Sequence, residues 1–152
     1  MSAILRYRRV RQEAHTSCGI ACVATVARTT HRTVLTEARR LFDWGKETRS
    51  FYTSFSDLKE LLAAFNLRAG RKNLTNNWSK VPALAVAAIN FRIKDDVEYW
   101  HWVVVQRIDD GIVVLDPRST REQRTDTGRM RLHAYIPIRP NIGKARPGDA
   151  RS

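Results

Sequence analysis

At 152 residues, with 43% hydrophobic and 28% charged residues, the chain is most simply one soluble globular domain with enough core to need no covalent staples. No apolar run reaches the roughly 18 residues of a membrane span, and Met1 to Arg6 lacks the signal-peptide pattern, so neither a span nor an export address is expected. With 27 Lys and Arg against 15 Asp and Glu, the net charge of +12 favours acidic proteins, nucleic acid or anionic surfaces as partners, but the arginines are scattered rather than interleaved with aromatics, which disfavours a nucleic-acid module.

The basic first eleven residues read as a short strand or arm, Ile4 to Val10. The stretch from Gln12 to Ala27 follows, in which a polar lead-in runs into small and apolar residues that form a helix from Cys18 to about Arg28. Thr16 or Ser17 is placed to cap it, and Ile20, Val23, Ala24 and Ala27 give it an apolar face. A cysteine at a helix start is chemically suggestive, because the thiolate is the attacking species and is favoured by unpaired helix amides and by a nearby imidazolium. Gln12 is then a candidate donor to an oxyanion beside the Cys18 backbone N–H. Cys22, one turn on, reads as core. Two cysteines four apart on one helix suit neither a disulfide nor a zinc site, so no metal and no cofactor are expected.

A second helix starts at Thr33 or Thr36 and ends near Asp43-Trp44-Gly45. After a polar loop carrying Phe51 and Tyr52, Ser56 reads as the cap of a third helix whose apolar face is Leu58, Leu61, Leu62 and Phe65. The period then changes. Val81 to Phe91, His101 to Ile108 and Ile112 to Leu115 are apolar runs, the last two joined at the turn signal Asp109-Asp110-Gly111, and Leu132 to Ile138 alternates as a final strand. Helices followed by an antiparallel sheet make an α+β domain. It is expected to span residues 1–138, with 139–152 a loose basic tail.

A nucleophilic cysteine needs a base, and the candidates are His15, His31, His101 and His133. His15 reads as exposed, and His31 falls in a polar stretch between helices. His101 opens a strand, and Asp116 ends the next one. In an antiparallel hairpin with a two-residue turn both side chains leave the same face, and a turn on Asp110-Gly111 sets Asp116 opposite Val105, whereas one on Asp109-Asp110 sets it opposite Val103. Both registers remain open from the sequence.

Gln12, Cys18-Gly19 with Ala21-Cys22, Tyr52-Thr53-Ser54 before Asp57-Leu58, Pro82-Ala83-Leu84, His101-Trp102-Val103-Val104 and Asp116-Pro117 together resemble, in order and spacing, the double-glycine leader peptidases. These are papain-like cysteine proteases that process bacteriocin precursors, and the resemblance covers about Arg8 to Ile138. It implies the papain-like fold, an N-terminal helical half packed on a C-terminal antiparallel sheet, with Cys18 as nucleophile, His101 as base, Asp116 orienting it and Gln12 as oxyanion donor. Three departures stand out: Ser17 where an aspartate is usual, Tyr52 where glycine is frequent, and no glycine soon after Asp116-Pro117.

The expected activity is a cysteine endopeptidase acting on a protein or peptide. Its expected setting is that of a stand-alone interbacterial toxin domain held by an acidic immunity protein, in the bacterial cytoplasm of producer or target. The alternatives are a leader peptidase cleaving after two glycines and a relative that only binds or transamidates peptides.

Overall fold

The computed structural model describes residues 6–109 and 111–140. Three helices come first. Helix α1 (Cys18–Ala27) is buried from Cys18 to Val26, and a helix apolar on every side belongs inside a domain rather than on it. Arg28, at φ 58°, ends it in the left-handed region, its N–H bonded to the Ala24 and Thr25 carbonyls. Helix α2 (His31–Leu41) starts earlier than its apolar spacing suggests, because Thr30 takes the cap and accepts from the Thr33 N–H. Helix α3 (Phe55–Ala64) likewise starts before Ser56: Ser54 and Asp57 bond each other's backbone N–H in a capping box, and Leu58, Leu61 and Leu62 are buried.

The strands are β1 (Leu67–Ala69), β2 (Asn73–Leu74), β3 (Leu84–Lys94), β4 (Val97–Ile108), β5 (Gly111–Leu115) and β6 (Leu132–Pro140), with a 3-10 turn at Trp78–Lys80. They form one antiparallel sheet in the order β1-β6-β3-β4-β5, with β2 also on β6. The α+β architecture read from the sequence is the one observed. Strands β3 and β4 read as continuous apolar runs because both faces of the sheet are covered. Val86, Ala88, Trp102, Val104, Leu115 and Ile136 pack with the helices, whereas Ala85, Ala87, Ile89, Val103, Val105 and Val114 pack under Val81, Met130 and Leu132.

Ile108 pairs with Gly111, which selects, of the two registers the sequence leaves open, the one that sets Asp116 opposite Val103. The arm at residues 6–12 is irregular rather than a strand, but it is tied down: the Val10 N–H donates to Thr25 Oγ1 at 2.9 Å and the Gln12 N–H to the Pro117 carbonyl at 3.0 Å. Arg139 and Pro140 extend β6, and residues 141–152 of the expected tail lie outside the described residues.

Trp102 joins the two layers. It is 2% exposed, donates from Nε1 to the Thr53 carbonyl at 3.1 Å and meets Phe55 edge-on at 4.7 Å. Trp102→Ala is expected to cost about 3–5 kcal/mol, read as a lower midpoint in urea unfolding, since it opens a cavity and leaves a buried carbonyl without its donor.

Candidate active site

Cys18 is the first residue of α1 and is 4% exposed. The expected cap does not form. Ser17 occupies the cap position without a side-chain bond to the helix; its Oγ accepts from the Ala14 N–H at 3.0 Å and meets His31 Nε2 at 2.9 Å. Thr16 Oγ1 instead accepts from the Phe51 N–H at 2.8 Å, fixing the loop before α3. Among the described residues no side chain consumes the first amides of α1, which leaves them available to a negative charge at the helix start. Gly19 permits the close approach of this loop: a Cβ there would lie 2.0 Å from Thr53 Oγ1 and 3.1 Å from Trp102.

The pairing of Val104 with Leu115 sets Asp116 beside Val103, a diagonal neighbour of His101 on the same face. Across that diagonal His101 Nε2 meets Asp116 Oδ1 at 2.7 Å, and both residues are 8% exposed. The same carboxylate oxygen accepts from the Arg118 N–H at 2.9 Å. Burial alone would lower the His101 pKa, but the bond to Asp116, a bond to Cys18 and the charges of both raise it to about 9. For Asp116, burial pushes upward and is overcome by His101 and Arg118, so its pKa is lowered. With Nε2 committed to Asp116, Nδ1 is the ring nitrogen left for Cys18, which lines the same cavity. Arg118 Nη2 also lies 3.4 Å from Nδ1 and can donate there only to a neutral ring. A protonated ring carries a hydrogen on Nδ1 and can no longer accept from Arg118.

The structure thus brings Cys18, His101 and Asp116 together, whereas Gln12 is placed differently from its expected role. Its Nε2 donates to the Ala14 carbonyl at 2.9 Å and the His15 carbonyl at 3.0 Å, while its buried Oε1 has no partner. In this state it shapes the lead-in loop and offers no hydrogen to the cleft. Cys22 is 1% exposed, and its thiol pKa is pushed well up by burial, then by Cys18 and Asp116, in keeping with a core residue.

His31 is the neighbour the sequence reading passed over. It opens α2, is 4% exposed and bonds Ser17, the residue before the nucleophile candidate, while Glu13 Oε1 stands 3.8 Å from its Nδ1. Burial lowers its pKa more than Glu13 raises it. The spacing of fourteen residues to Ser17 gives no signal in the sequence, because only the packing of α2 against α1 joins them.

Two cavities meet at Cys18. One of about 400 Å³ is lined by Thr53, Ser54, Trp100 and Trp102 and is mainly apolar; the other, of about 490 Å³, is lined by His101, Asp116 and several arginines. The two-residue period of β4 sends Trp102 to the first and His101 to the second. Tyr52 and Tyr99 line both, their rings edge-on at 6.4 Å. No group of three or more His, Cys, Asp or Glu suited to a metal occurs among the described residues, and no described helix is long and apolar enough to cross a membrane.

A model of the peptidase C39 family matches residues 6–131. No curated protein matches the sequence. Among the solved structures that match is a double glycine motif protease from an AMS/PCAT transporter, determined in complex with the leader peptide. It is 14% identical, the match covers 92% of this chain and 99% of that one, and the TM-score is 0.58. At that identity the likeness shows the fold: three helices ahead of an antiparallel sheet, in a papain-like arrangement.

Proposed function

The chain belongs to the peptidase C39 family and is a cysteine protease, and from this premise we propose that it cleaves peptide bonds through Cys18, His101 and Asp116. The observation that carries the reading is the buried 2.7 Å bond from His101 to Asp116, in a cavity that Cys18 also lines from a helix start. Cys18 Sγ, as the thiolate beside the His101 imidazolium, attacks the peptide carbonyl. The oxyanion forms beside the Cys18 N–H, and Gln12 joins it by exchanging its bond to the Ala14 or His15 carbonyl for one to the new charge. His101 gives its Nδ1 proton to the leaving amine as the C–N bond breaks. Water, deprotonated by His101, then releases the acyl group and restores the thiol.

Two assignments of substrate fit this chemistry. Cleavage after a double glycine draws support from the solved relative that was determined with a leader peptide. Against it stands Tyr52, 51% exposed at the junction of the two cavities, where the narrowest substrate residues would pass. An antibacterial effector restrained by an acidic immunity protein draws support from the net charge of +12. Induced growth of bacteria carrying the wild-type chain or Cys18→Ala, with mapping of new protein N-termini, decides between them. Growth arrest and new termini in the wild type alone support the effector. Unchanged growth and termini, with cleavage of a Gly-Gly precursor in vitro, support the leader peptidase. Absence of cleavage in both assays overturns the peptidase proposal.

A further inference from the structure

The larger cavity at Cys18 has a basic wall. Arg92, Arg118, Arg124 and Arg129 line it together with His101. These arginines come from two separate parts of the chain, and specific backbone devices gather them. Between Ile89 and Arg92 the pairing of β3 with β4 shifts register, with Asn90 at φ 55°. A bulge of this kind re-aims the side chain that follows it, and Arg92 lies over the Tyr99 ring at 5.2 Å. The return from β5 carries the other three and is fastened to the sheet edge: Val114 and Arg124 exchange backbone bonds of 2.7 and 2.9 Å.

Among the described residues, none of the four guanidinium groups lies within ion-pair distance of a carboxylate. Asp116, the one carboxylate among the described residues that line the cavity, is engaged by His101. Arg124 Nε is buried and has no acceptor. Such a wall fits anions that accept from guanidinium groups, above all carboxylates.

We infer that this cavity is the subsite for acidic side chains on the C-terminal side of the scissile bond. The direction follows from the proton inventory and rests on the mechanism proposed above. The leaving amine collects its proton from His101, so the departing chain lies on the His101 side of Cys18. His101 lines the basic cavity and not the apolar one. The apolar cavity then receives the acyl portion, and one or more Asp or Glu just after the cut meet the arginines.

The test uses two readouts. Wild-type chain is given a proteome-derived peptide library, and the neo-termini are expected to be enriched in Asp and Glu at the first positions after the cuts. In parallel, Cys18→Ala is titrated with the fluorescein-labelled peptide Leu-Ala-Gly-Gly-Asp-Glu-Asp and its Asn-Gln-Asn twin. The acidic peptide is expected to bind about 10-fold more tightly at 0.15 M salt. In that background Arg92→Gln with Arg129→Gln is expected to bring the ratio close to 1. Lys46→Gln with Lys80→Gln, which removes the same charge from exposed positions outside the cavity, leaves the ratio in place. Equal loss in both double variants, or a ratio near 1 from the start, overturns the subsite. Cuts without acidic bias overturn it as well and leave the peptidase standing. Absent cuts in this library leave the peptidase to the precursor assay above, and the binding ratio still decides whether the cavity takes acidic side chains.

Discussion

Cys18→Ala is expected to abolish peptide hydrolysis, with a loss on the order of 10⁵-fold or more in kcat, while the domain stays folded. The nucleophile is the one group the reaction cannot replace: without Sγ there is no acyl-enzyme, and the polarised carbonyl awaits a water that nothing positions. Structural damage is expected to be small. Alanine is a strong helix former, the substitution removes a single heavy atom, and the packing of α1 rests on Ile20, Val23 and Val26. Circular dichroism and the urea midpoint check the fold, and turnover of a cleaved library peptide checks the chemistry. Alkylation supplies a third reading. Iodoacetamide is expected to label the wild-type native chain once, at Cys18, because burial holds the Cys22 thiol in its protonated form. Native Cys18→Ala then takes up no label. Full activity in this variant would remove Cys18 from the mechanism.

Asp116→Asn is expected to lower kcat/KM by about 10²- to 10⁴-fold and to change the pH profile. The substitution isolates charge from geometry. Asp116 Oδ1 serves both His101 Nε2 and the Arg118 N–H, and an asparagine oxygen in the same place retains both bonds. The negative charge that favours the imidazolium is lost. In the wild type the His101 pKa is raised to about 9, so the ring is protonated through neutral pH and activity is expected to fall as pH rises through about 9. In the variant the burial of His101 acts against a weaker bond, and that alkaline limb moves toward lower pH.

Stability shifts in the same experiment. A raised histidine pKa contributes stability that is complete below the unfolded value near 6.5 and is lost as pH rises through about 9. The lowered Asp116 pKa contributes stability above the unfolded carboxylate value, lost as pH falls through the folded one. Both contributions shrink in the variant. The gap in urea midpoints between wild type and variant should therefore narrow as pH rises through about 9, keeping the part that belongs to the Asp116 carboxylate. An unchanged alkaline limb would mean that Asp116 does not set the charge state of His101.

What the sequence made legible follows from periodicity. The all-apolar Cys18 helix, the long β4 and the short β5 announce themselves, because both faces of the sheet and every side of α1 are covered. The relation of His101 to Asp116 was legible up to a choice between two turns. Asp109, at φ 54°, enters a left-handed conformation that an aspartate tolerates, and the register that follows sets the pair on one diagonal. Caps were less legible where two hydroxyls competed: Ser54 wins over Ser56 because Asp57 stands three residues after it.

The remainder lay in tertiary contacts. Ser17 reads as a helix cap, yet its hydroxyl turns to Ala14 and His31 once α2 folds against it. Gln12 reads as a free donor, yet its amide meets two carbonyls of its own loop. The arginines at 92, 118, 124 and 129 look scattered in one dimension. A bulge and a returning loop make them one wall.

The placement of β6 also sets a timetable for synthesis. The last described strand lies between β1 and β3 rather than at an edge, so it is an interior plank of the sheet. On a ribosome, α1 with Cys18 emerges early and β4 with His101 later, but β3 keeps an unpaired side until residues 132–140 leave the exit tunnel. Closing the sheet joins residues far apart in the chain, a slow class of folding event. A nascent chain stalled before residue 132 therefore holds the cysteine, the histidine and the aspartate without the scaffold that aligns them. The producing cell meets a competent protease only after translation has passed the final strand.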